Sequence, residues 1–363
     1  MNIESLEIRK LEIPFKMSFS HASATRHVTD SVIVTSKSNN VIGYGEACPR
    51  SYVTNENYES VLGFFNRHQE SIASSITGLS SLKSWAKSNI NEIDTNPAAW
   101  CAIELALLDL LAKNNGVSVE NLLGYSCLSG DFQYTAVLGD SSIETFTKLL
   151  KTYLNIGFTD FKLKLSGNLS HDKDKCDVLL SNIDNPRIRL DANNLWNDPE
   201  EVVSYIQQLG HNFFALEEPI KVNDYEGMSF IANKLKLKIV LDESFIQLQQ
   251  FEHLLNEPDN WIINIRISKM GGLLRSLVIA DYARTKKIPC IVGAQVGETS
   301  LLTRAALTLV NEFKDIILAQ EGAGGTYLLK HDLFNPVLMF ANAGKIDQSQ
   351  LKKLDDFGFG LRC

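Results

Sequence analysis

At 363 residues the chain exceeds the size at which one hydrophobic core usually stops growing, so one large domain and one smaller one are expected. Its apolar fraction of 44% and charged fraction of 21% are ordinary for a soluble protein, and a formal net charge of -8 argues against nucleic acid or an anionic membrane as partner. No run has the length of a membrane span or the form of a signal peptide, and Cys48, Cys101, Cys127, Cys176, Cys290 and Cys363 are scattered without a CxxC pair, which fits reduced thiols in a cytoplasmic protein better than disulfides or zinc.

The first segment reads as a small α+β domain. Residues 3–15, 30–36 and 41–46 have strand-like content, and the glycines of Val41-Ile42-Gly43-Tyr44-Gly45-Glu46 mark a bend or a close contact. Three such runs in succession suggest an antiparallel meander. The polar stretches 16–29 and 47–55 read as long loops, a composition found in linkers and in binding loops. From Tyr58 to about Asn115 the pattern is helical. It ends in AAWCAIELALLDLLAKNNG, where Ile103, Leu107, Leu110 and Leu111 share one face and Gly116 stops the helix.

After Tyr125 apolar runs alternate with amphipathic stretches. Strands are expected near 134–137, 160–165, 188–190, 213–216, 239–241, 262–267, 289–292 and 316–319, with helices such as 143–155, 199–208, 273–285 and 301–310 between them. Seven to eight such units indicate an α/β protein built on a modified (β/α) TIM-type barrel, with an N-terminal α+β domain. An open doubly wound sheet is the alternative, but the glycine signature of many nucleotide-binding sheets is missing. The expected divisions are 1–124, 125–325 for the barrel, and a glycine-rich C-terminal segment, 326–363, that packs back on the first domain.

Three acidic residues end apolar runs at nearly even intervals: Asp191 in IRLDAN, Glu217 in FFALEEP and Asp242 in KIVLDES. One strand, one helix and two short connections fill such an interval, so the three carboxylates fall at one barrel mouth, where they can share a hard cation. Carboxylate ligands suit Mg²⁺ or Mn²⁺, whereas zinc calls for His and Cys. Before them, the period of two in Lys162-Leu163-Lys164 points both lysines to one side of a strand. Removing a proton next to a carboxylate creates an enediolate, and a divalent cation neutralises that charge as it develops. Taken singly, these residues also read as surface caps after strands and solvated lysines; the shared register argues against that.

The order KLK, DANN, LEEP, LDES and NIRISKMGG resembles the enolase superfamily, in its muconate lactonizing enzyme subgroup. AIELALLDLLAKNNGVSVENLLG and GYGEACP look like that family's capping domain and linker helix, so the likeness covers nearly the whole chain. The resemblance implies that Asp191, Glu217 and Asp242 bind Mg²⁺, that Asn193 and Glu243 lie around them, that Lys164 is an acid/base, and that Lys162 polarises the carboxylate of a small-molecule substrate. It also implies a homo-oligomer, and substrate contacts from the capping loops, with His21, Arg26, Arg50 and Tyr52 as candidates. Arg50 has the chemistry to pair with a distal carboxylate or phosphate.

Arg266 departs from the pattern. It aligns with a second lysine that epimerases and cycloisomerases of the subgroup carry on the sixth strand, and arginine holds its proton too firmly to be an ordinary base. Three roles are open: a clamp for an anionic intermediate that leaves Lys164 one-face chemistry, a site whose base is now Lys269, or an unusual base. Strand alternation would turn Lys269 away from Arg266 unless the chain curls at Met270-Gly271-Gly272, and a lysine there also reads as a surface ion pair. Glu298 resembles a position near the substrate, and the following Thr299 or Ser300 suits a helix cap. At the eighth strand end Glu321 stands among glycines where dipeptide epimerases usually carry an Asp-x-Asp pair for the substrate ammonium. The expected activity is therefore a racemase, epimerase or cycloisomerase acting through an enediolate. A dehydrating lyase is the alternative, and a binding protein that has lost catalysis a third.

Overall fold

A computed structural model describes residues 2–21 and 24–363, with side chains for all of these except 17–21, 24 and 25. Its N-terminal part starts with strands β1 (Ser5–Leu11), β2 (Pro14–His21), β3 (Ala24–Val28), β4 (Ser31–Ser38) and β5 (Val41–Ala47). β1, β4 and β5 form an antiparallel sheet in that order, so the expected meander is interrupted. The stretch read as a loop over 16–29 instead contains the antiparallel pair β2 and β3. Composition hides this pair because part of its hydrogen bonding is supplied from far along the chain: Lys16 N donates to Leu328 O and Lys330 N to Pro14 O.

Four helices follow, α1 (Tyr58–Ser75), α2 (Leu79–Ser88), α3 (Ile90–Thr95) and α4 (Pro97–Asn114), then the short α5 (Val119–Leu123). The apolar face read in α4 is buried, but so is every other side chain from Pro97 to Ala112. The cap sheet packs on one side of this helix and the barrel on the other. Close approach of β5 requires its glycines: a Cβ on Gly45 would lie 1.9 Å from Ala102 O, and one on Gly43 2.2 Å from Ala106 O.

The short β6 (Phe132–Gln133) leads into β7 (Ala136–Leu138), β8 (Asp160–Lys164), β9 (Arg187–Asp191), β10 (Ala215–Glu217), β11 (Lys238–Leu241), β12 (Trp261–Ile265), β13 (Cys290–Val292) and β14 (Ile317–Gln320). These eight run parallel in sequence order as one sheet. Its two edges meet where Thr135 N donates to Gln320 O, 2.7 Å. Helices α6 (Ile143–Ile156), α7 (Leu169–Asn182), α8 (Pro199–Leu209), α9 (Tyr225–Leu235), α10 (Ile267–Met270), α11 (Leu273–Lys286) and α12 (Ser300–Glu312) connect the strands. Inside the barrel Ala215, Val240, Ile262, Ile291 and Ala319 form an apolar layer beneath the mouth. The sixth strand is shorter than expected, ending at Ile265, and the residues after it form the single turn α10.

Beyond β14 come β15 (Lys345–Ile346), which pairs with β6, and α13 (Gln348–Leu351). The tail then returns to the first domain: Val119 N donates to Gly358 O and Phe359 N to buried Asp109. No described helix is long and apolar enough to cross a membrane, and all six cysteines are free.

A buried ion pair ties α5 to α12. Arg304 reaches both oxygens of Glu120, at 2.7 and 2.9 Å, and Thr308 Oγ1 donates at 2.6 Å. Burial alone would raise the Glu120 carboxyl, but Arg304 and Thr308 outweigh it and hold it at about 2. A carboxyl depressed in the folded state contributes stability above its unfolded value and loses it as the pH falls through the folded one. The Glu120 contribution is therefore complete above about pH 4.5 and fades towards about pH 2. In urea titrations from pH 6 down to 2.5, Glu120→Gln is expected to be less stable than wild type near neutrality, with a gap that narrows below pH 4.5.

Candidate active site

The barrel mouth is built from residues just inside or just past strand ends. Parallel pairing sets Lys164, Asp191 and Glu217 side by side across β8, β9 and β10, with Lys162 level with Arg189 one layer below. Asp242 follows the last residue of β11. All three carboxylates are at most 2% exposed, so they are not surface caps.

Each carboxylate is turned to an amino-acid cation. Lys162 Nζ lies 3.2 Å from Asp191, 3.2 Å from Glu217 and 2.8 Å from Glu321. Burial works against its charge, but these three acids outweigh that and hold Lys162 above the usual lysine range. Lys164 Nζ lies 3.1 Å from Asp191 Oδ2 and donates to Asn193 Oδ1. Asp242 receives Arg266 on one oxygen and Lys269 Nζ, 2.9 Å, on the other. Burial would raise Asp191, yet Lys164 and Lys162 together push it well below the ordinary carboxylate range. Glu217 is raised instead, by burial only partly offset by Lys162 and by the neighbouring charges of Asp191 and Glu321.

Arg266 and Lys269 stand differently from the strand expectation. Arg266 caps α10, and Lys269 lies one helical turn on, so both side chains reach Asp242. The curl has a physical origin. Gly271 ends the turn with φ 80°, and Gly272, φ 102°, leaves room for Glu104, whose Oε1 a Cβ there would meet at 2.3 Å. Glu104 in turn accepts Leu274 N at the start of α11, 2.9 Å. Lys269 is buried and also donates to Asp242 O and Asn264 O, at 2.6 and 2.8 Å, so it is no surface lysine. Burial, with Arg266 beside it, pushes Lys269 down to about 7. Arg266 donates its other terminal nitrogen to Gln295 Oε1, 3.1 Å.

Three residues beyond the expected set belong here. Glu218, backbone φ 40°, turns under the mouth and accepts from Asp242 N, Ser244 N and Ser244 Oγ at 2.7–2.8 Å and from Asn194 Nδ2 at 3.1 Å. It joins the DANN and LDES loops, and LEEP already displayed it beside Glu217. Arg189, fully buried and 2.8 Å from Glu321, shares the strand alternation of Asp191. Asn264 donates to Glu217 Oε1, 3.2 Å. Glu321 is held at about 2, because Lys162 and Arg189 outweigh its burial.

Glu243 sits at the edge of the cluster with a buried Oε2 that has no partner among the described residues. Burial and the charges of Glu218 and Asp191 push it up to about 8. Glu298 accepts Gln295 N, 2.6 Å, and burial lifts it to about 7. Thr299 is the N-cap of α12, as the helix-cap reading has it. The capping-loop candidates are distributed unevenly. Arg50 is 1% exposed and donates through its two terminal nitrogens to the backbone carbonyls of Pro49, Asp30 and Val296, which makes it a clamp between loops, while its buried Nε has no partner among the described residues. Arg26 pairs with Asp30, 2.9 Å, and lies 6.0 Å from the Tyr52 ring. The His21 side chain falls outside the described residues.

Among the described residues no group of three His, Cys, Asp or Glu side chains converges as a metal site would. The donor set nevertheless fits a hard dication on three counts. Asp191, Glu217 and Asp242 offer oxygen only, on three adjacent strand ends, and are buried. Glu243 Oε2 is an orphaned acceptor beside them. The acids Asp191, Glu217, Glu218, Asp242, Glu243 and Glu321 also outnumber the cations Lys162, Lys164, Arg189, Arg266 and Lys269.

A capped parallel barrel with acids on three successive strand ends and a KxK pair beside them defines an enolase-superfamily enzyme. Residues 145–350 match the family described as Enolase C-terminal domain-like, and residues 5–124 match the mandelate racemase / muconate lactonizing enzyme N-terminal domain. The chain belongs to that family and is an isomerase of its superfamily. It is 27% identical over 329 residues to a hydrophobic dipeptide epimerase of Enterococcus faecalis, covering 88% of this chain and 90% of the relative. It is 25% identical to an N-succinyl-L-Arg/Lys racemase of Bacillus cereus, covering 89% and 88%. The Enterococcus faecalis dipeptide epimerase complexed with Mg and the dipeptide L-Leu-L-Tyr superposes with a TM-score of 0.84 at 24% identity over all of both chains. A substrate-liganded L-Ala-D/L-Glu epimerase from Bacillus subtilis gives 0.85 at 24% identity over 96% of each.

Glu218 is the support whose loss the geometry makes most visible. Every group it meets is a donor, so Glu218→Gln sets an amide N–H against one of them. A stability loss of about 1–3 kcal/mol by urea denaturation is expected, with the fold retained by circular dichroism.

Proposed function

We propose that this enzyme moves the α-proton of a small carboxylate at Lys164, on one face of the substrate, in a cycloisomerase type of reaction. The proposal includes Asp191, Glu217 and Asp242 as the residues that hold Mg²⁺, with Mn²⁺ as a substitute. When bound, the cation supplies the positive charge that makes a proton beside a carboxylate removable.

The observation that carries the reading is the difference between the mouth's two lysine-bearing sides. Lys164 stands partly exposed at the end of β8, its ammonium directed by Asp191 and Asn193. Opposite it, among the described residues, no lysine is free. Arg266 is spanned between Asp242 and Gln295, and Lys269 is buried against Asp242 and Asn264. Arg266 therefore acts as a fixed cation that clamps an anionic substrate, and Lys164 both removes and returns the proton. Lys162, kept protonated by its three acids, contributes charge towards the substrate carboxylate and not basicity.

Glu321 bears on the substrate class. Its two oxygens are ion-paired with Lys162 and Arg189, so among the described residues the acid at this strand end is not free for an ammonium group. A substrate without a free amine suits this end of the barrel, in contrast to the dipeptide in the Enterococcus faecalis complex. The one-base geometry equally favours a second reading, a lyase that expels water from the same intermediate.

Both are tested by incubating enzyme and Mg²⁺ in D₂O with carboxymethyl lactones, acid sugars, N-acyl amino acids and dipeptides, following the α-proton by NMR. Exchange with retention is expected for a substrate lacking a free amine, and loss of water selects the lyase. Inversion contradicts the one-face assignment, and silence from the whole panel contradicts catalysis. Lys164→Ala abolishes exchange, as does removal of Mg²⁺ with EDTA; exchange that survives the substitution removes Lys164 as the proton carrier.

A further inference from the structure

Behind Lys164 lies a buried polar cluster that the proposed chemistry does not use. Lys175 and Asp172, both on α7, are fully buried and paired at 2.7 Å. Lys175 Nζ also lies 3.1 Å from Asp140, beyond the end of β7, and donates to the backbone carbonyl of Lys164 at 2.8 Å. Asp172 accepts from Ser166 N and Oγ, 2.9–3.2 Å, and from Tyr205 OH of α8, 2.6 Å.

The register explains why a lysine is needed there. Leu165 N donates to Asp191 O, so that N–H faces β9, and the Lys164 carbonyl of the same trans peptide faces the other way, towards β7. The β7 ladder stops one residue short, at Leu138 opposite Leu163. The carbonyl of Lys164 is thus left without a strand partner, and the Lys175 ammonium takes the place of the missing N–H. Asp172 fastens the next residue but one, Ser166. Lys164 is held through its side chain from β9 and through its backbone from α7.

A buried ion pair is weak evidence for stability, since well-packed apolar residues often serve as well. What this pair provides is a fixed position for the end of β8, and a proton carrier tolerates displacements of only about 0.5 Å. We infer that Lys175, braced by Asp172 and Tyr205, is a positioning residue that sets the Lys164 ammonium in the site. Its catalytic consequence rests on Lys164 being the proton carrier, as proposed above.

The test uses the full-length enzyme and two readouts. The first needs no substrate: trinitrobenzenesulfonate labels lysines, and peptide mass spectrometry follows Lys164. Lys175→Met is expected to label at Lys164 several-fold faster than wild type with an unchanged circular dichroism spectrum, and Lys175→Arg to return towards the wild-type rate. The second is α-deuterium exchange on the fastest compound of the panel, where Lys175→Met lowers kcat about 10–100-fold and leaves KM unchanged. Should Lys175→Met not fold, Tyr205→Phe, which keeps the ion pair and loses only the brace, shows the same changes at smaller size. Wild-type labelling of Lys164 in the folded Lys175→Met protein, or in Tyr205→Phe if that is the variant that folds, overturns the positioning role. Exchange retained by Lys164→Ala overturns the base assignment instead, whatever the labelling shows.

Discussion

A carboxylate taken out of water must find a cation or several hydrogen-bond donors, and the mouth of this barrel buries six acids within one cluster. Most of what surrounds them follows from that constraint. Lys162 answers Asp191, Glu217 and Glu321 together; Lys164 answers Asp191; Arg266 and Lys269 share Asp242. Glu218, which meets no cation directly, is satisfied by four donors and in return ties two loops to each other. Glu243 keeps an oxygen with no partner among the described residues, and burial with the neighbouring charges of Glu218 and Asp191 pushes it up to about 8. Six acids thus face five lysines and arginines in one buried cluster, an excess of oxygen donors suited to a divalent ion and a substrate.

The same solution, an acid buried against donors, fixes the cap to the barrel. Glu56 accepts the first N–H groups of α4, Glu104 reaches from α4 to the start of α11, and Glu46 at the end of β5 accepts Thr299 N, Thr299 Oγ1 and Leu302 N at the start of α12. Helix N-termini present unpaired N–H groups and a positive dipole end, so these acids are matched without lysines. Two of these acids, Glu104 and Glu46, cross from cap to barrel, the second at Thr299 next to Glu298. The elements that carry the cap's loops are therefore positioned by the same helices that follow the sixth and seventh strands.

Much of this was readable from the chain alone, and the reasons are local. Strand alternation placed Lys162 with Lys164, and the even spacing of Asp191, Glu217 and Asp242 placed three acids on successive strand ends. The paired β2 and β3 were not readable, because bonds to Leu328 and Lys330 hold one end of them, residues about 300 positions away. For Lys269 the sequence offers two placements, and a strand continued through Arg266 would turn it away; the curl at Met270-Gly271-Gly272 is the one that forms, and α10 brings both residues to Asp242. Arg50 has the composition of a binding-loop residue, and only the carbonyls of Pro49, Asp30 and Val296 show that its terminal nitrogens are already engaged. Burial of that kind has no signature in a single sequence.

The central claim is that Asp191, Glu217 and Asp242, each turned here to a lysine or arginine, form a common site for a divalent cation. Titration with Mn²⁺ followed by electron paramagnetic resonance tests it most directly, with Mg²⁺ as competitor. The account predicts one saturable Mn²⁺ site per chain, displaced by Mg²⁺ and lost in Asp191→Asn, Glu217→Gln and Asp242→Asn. Absence of saturable binding, or a site that all three substitutions leave intact, would contradict it.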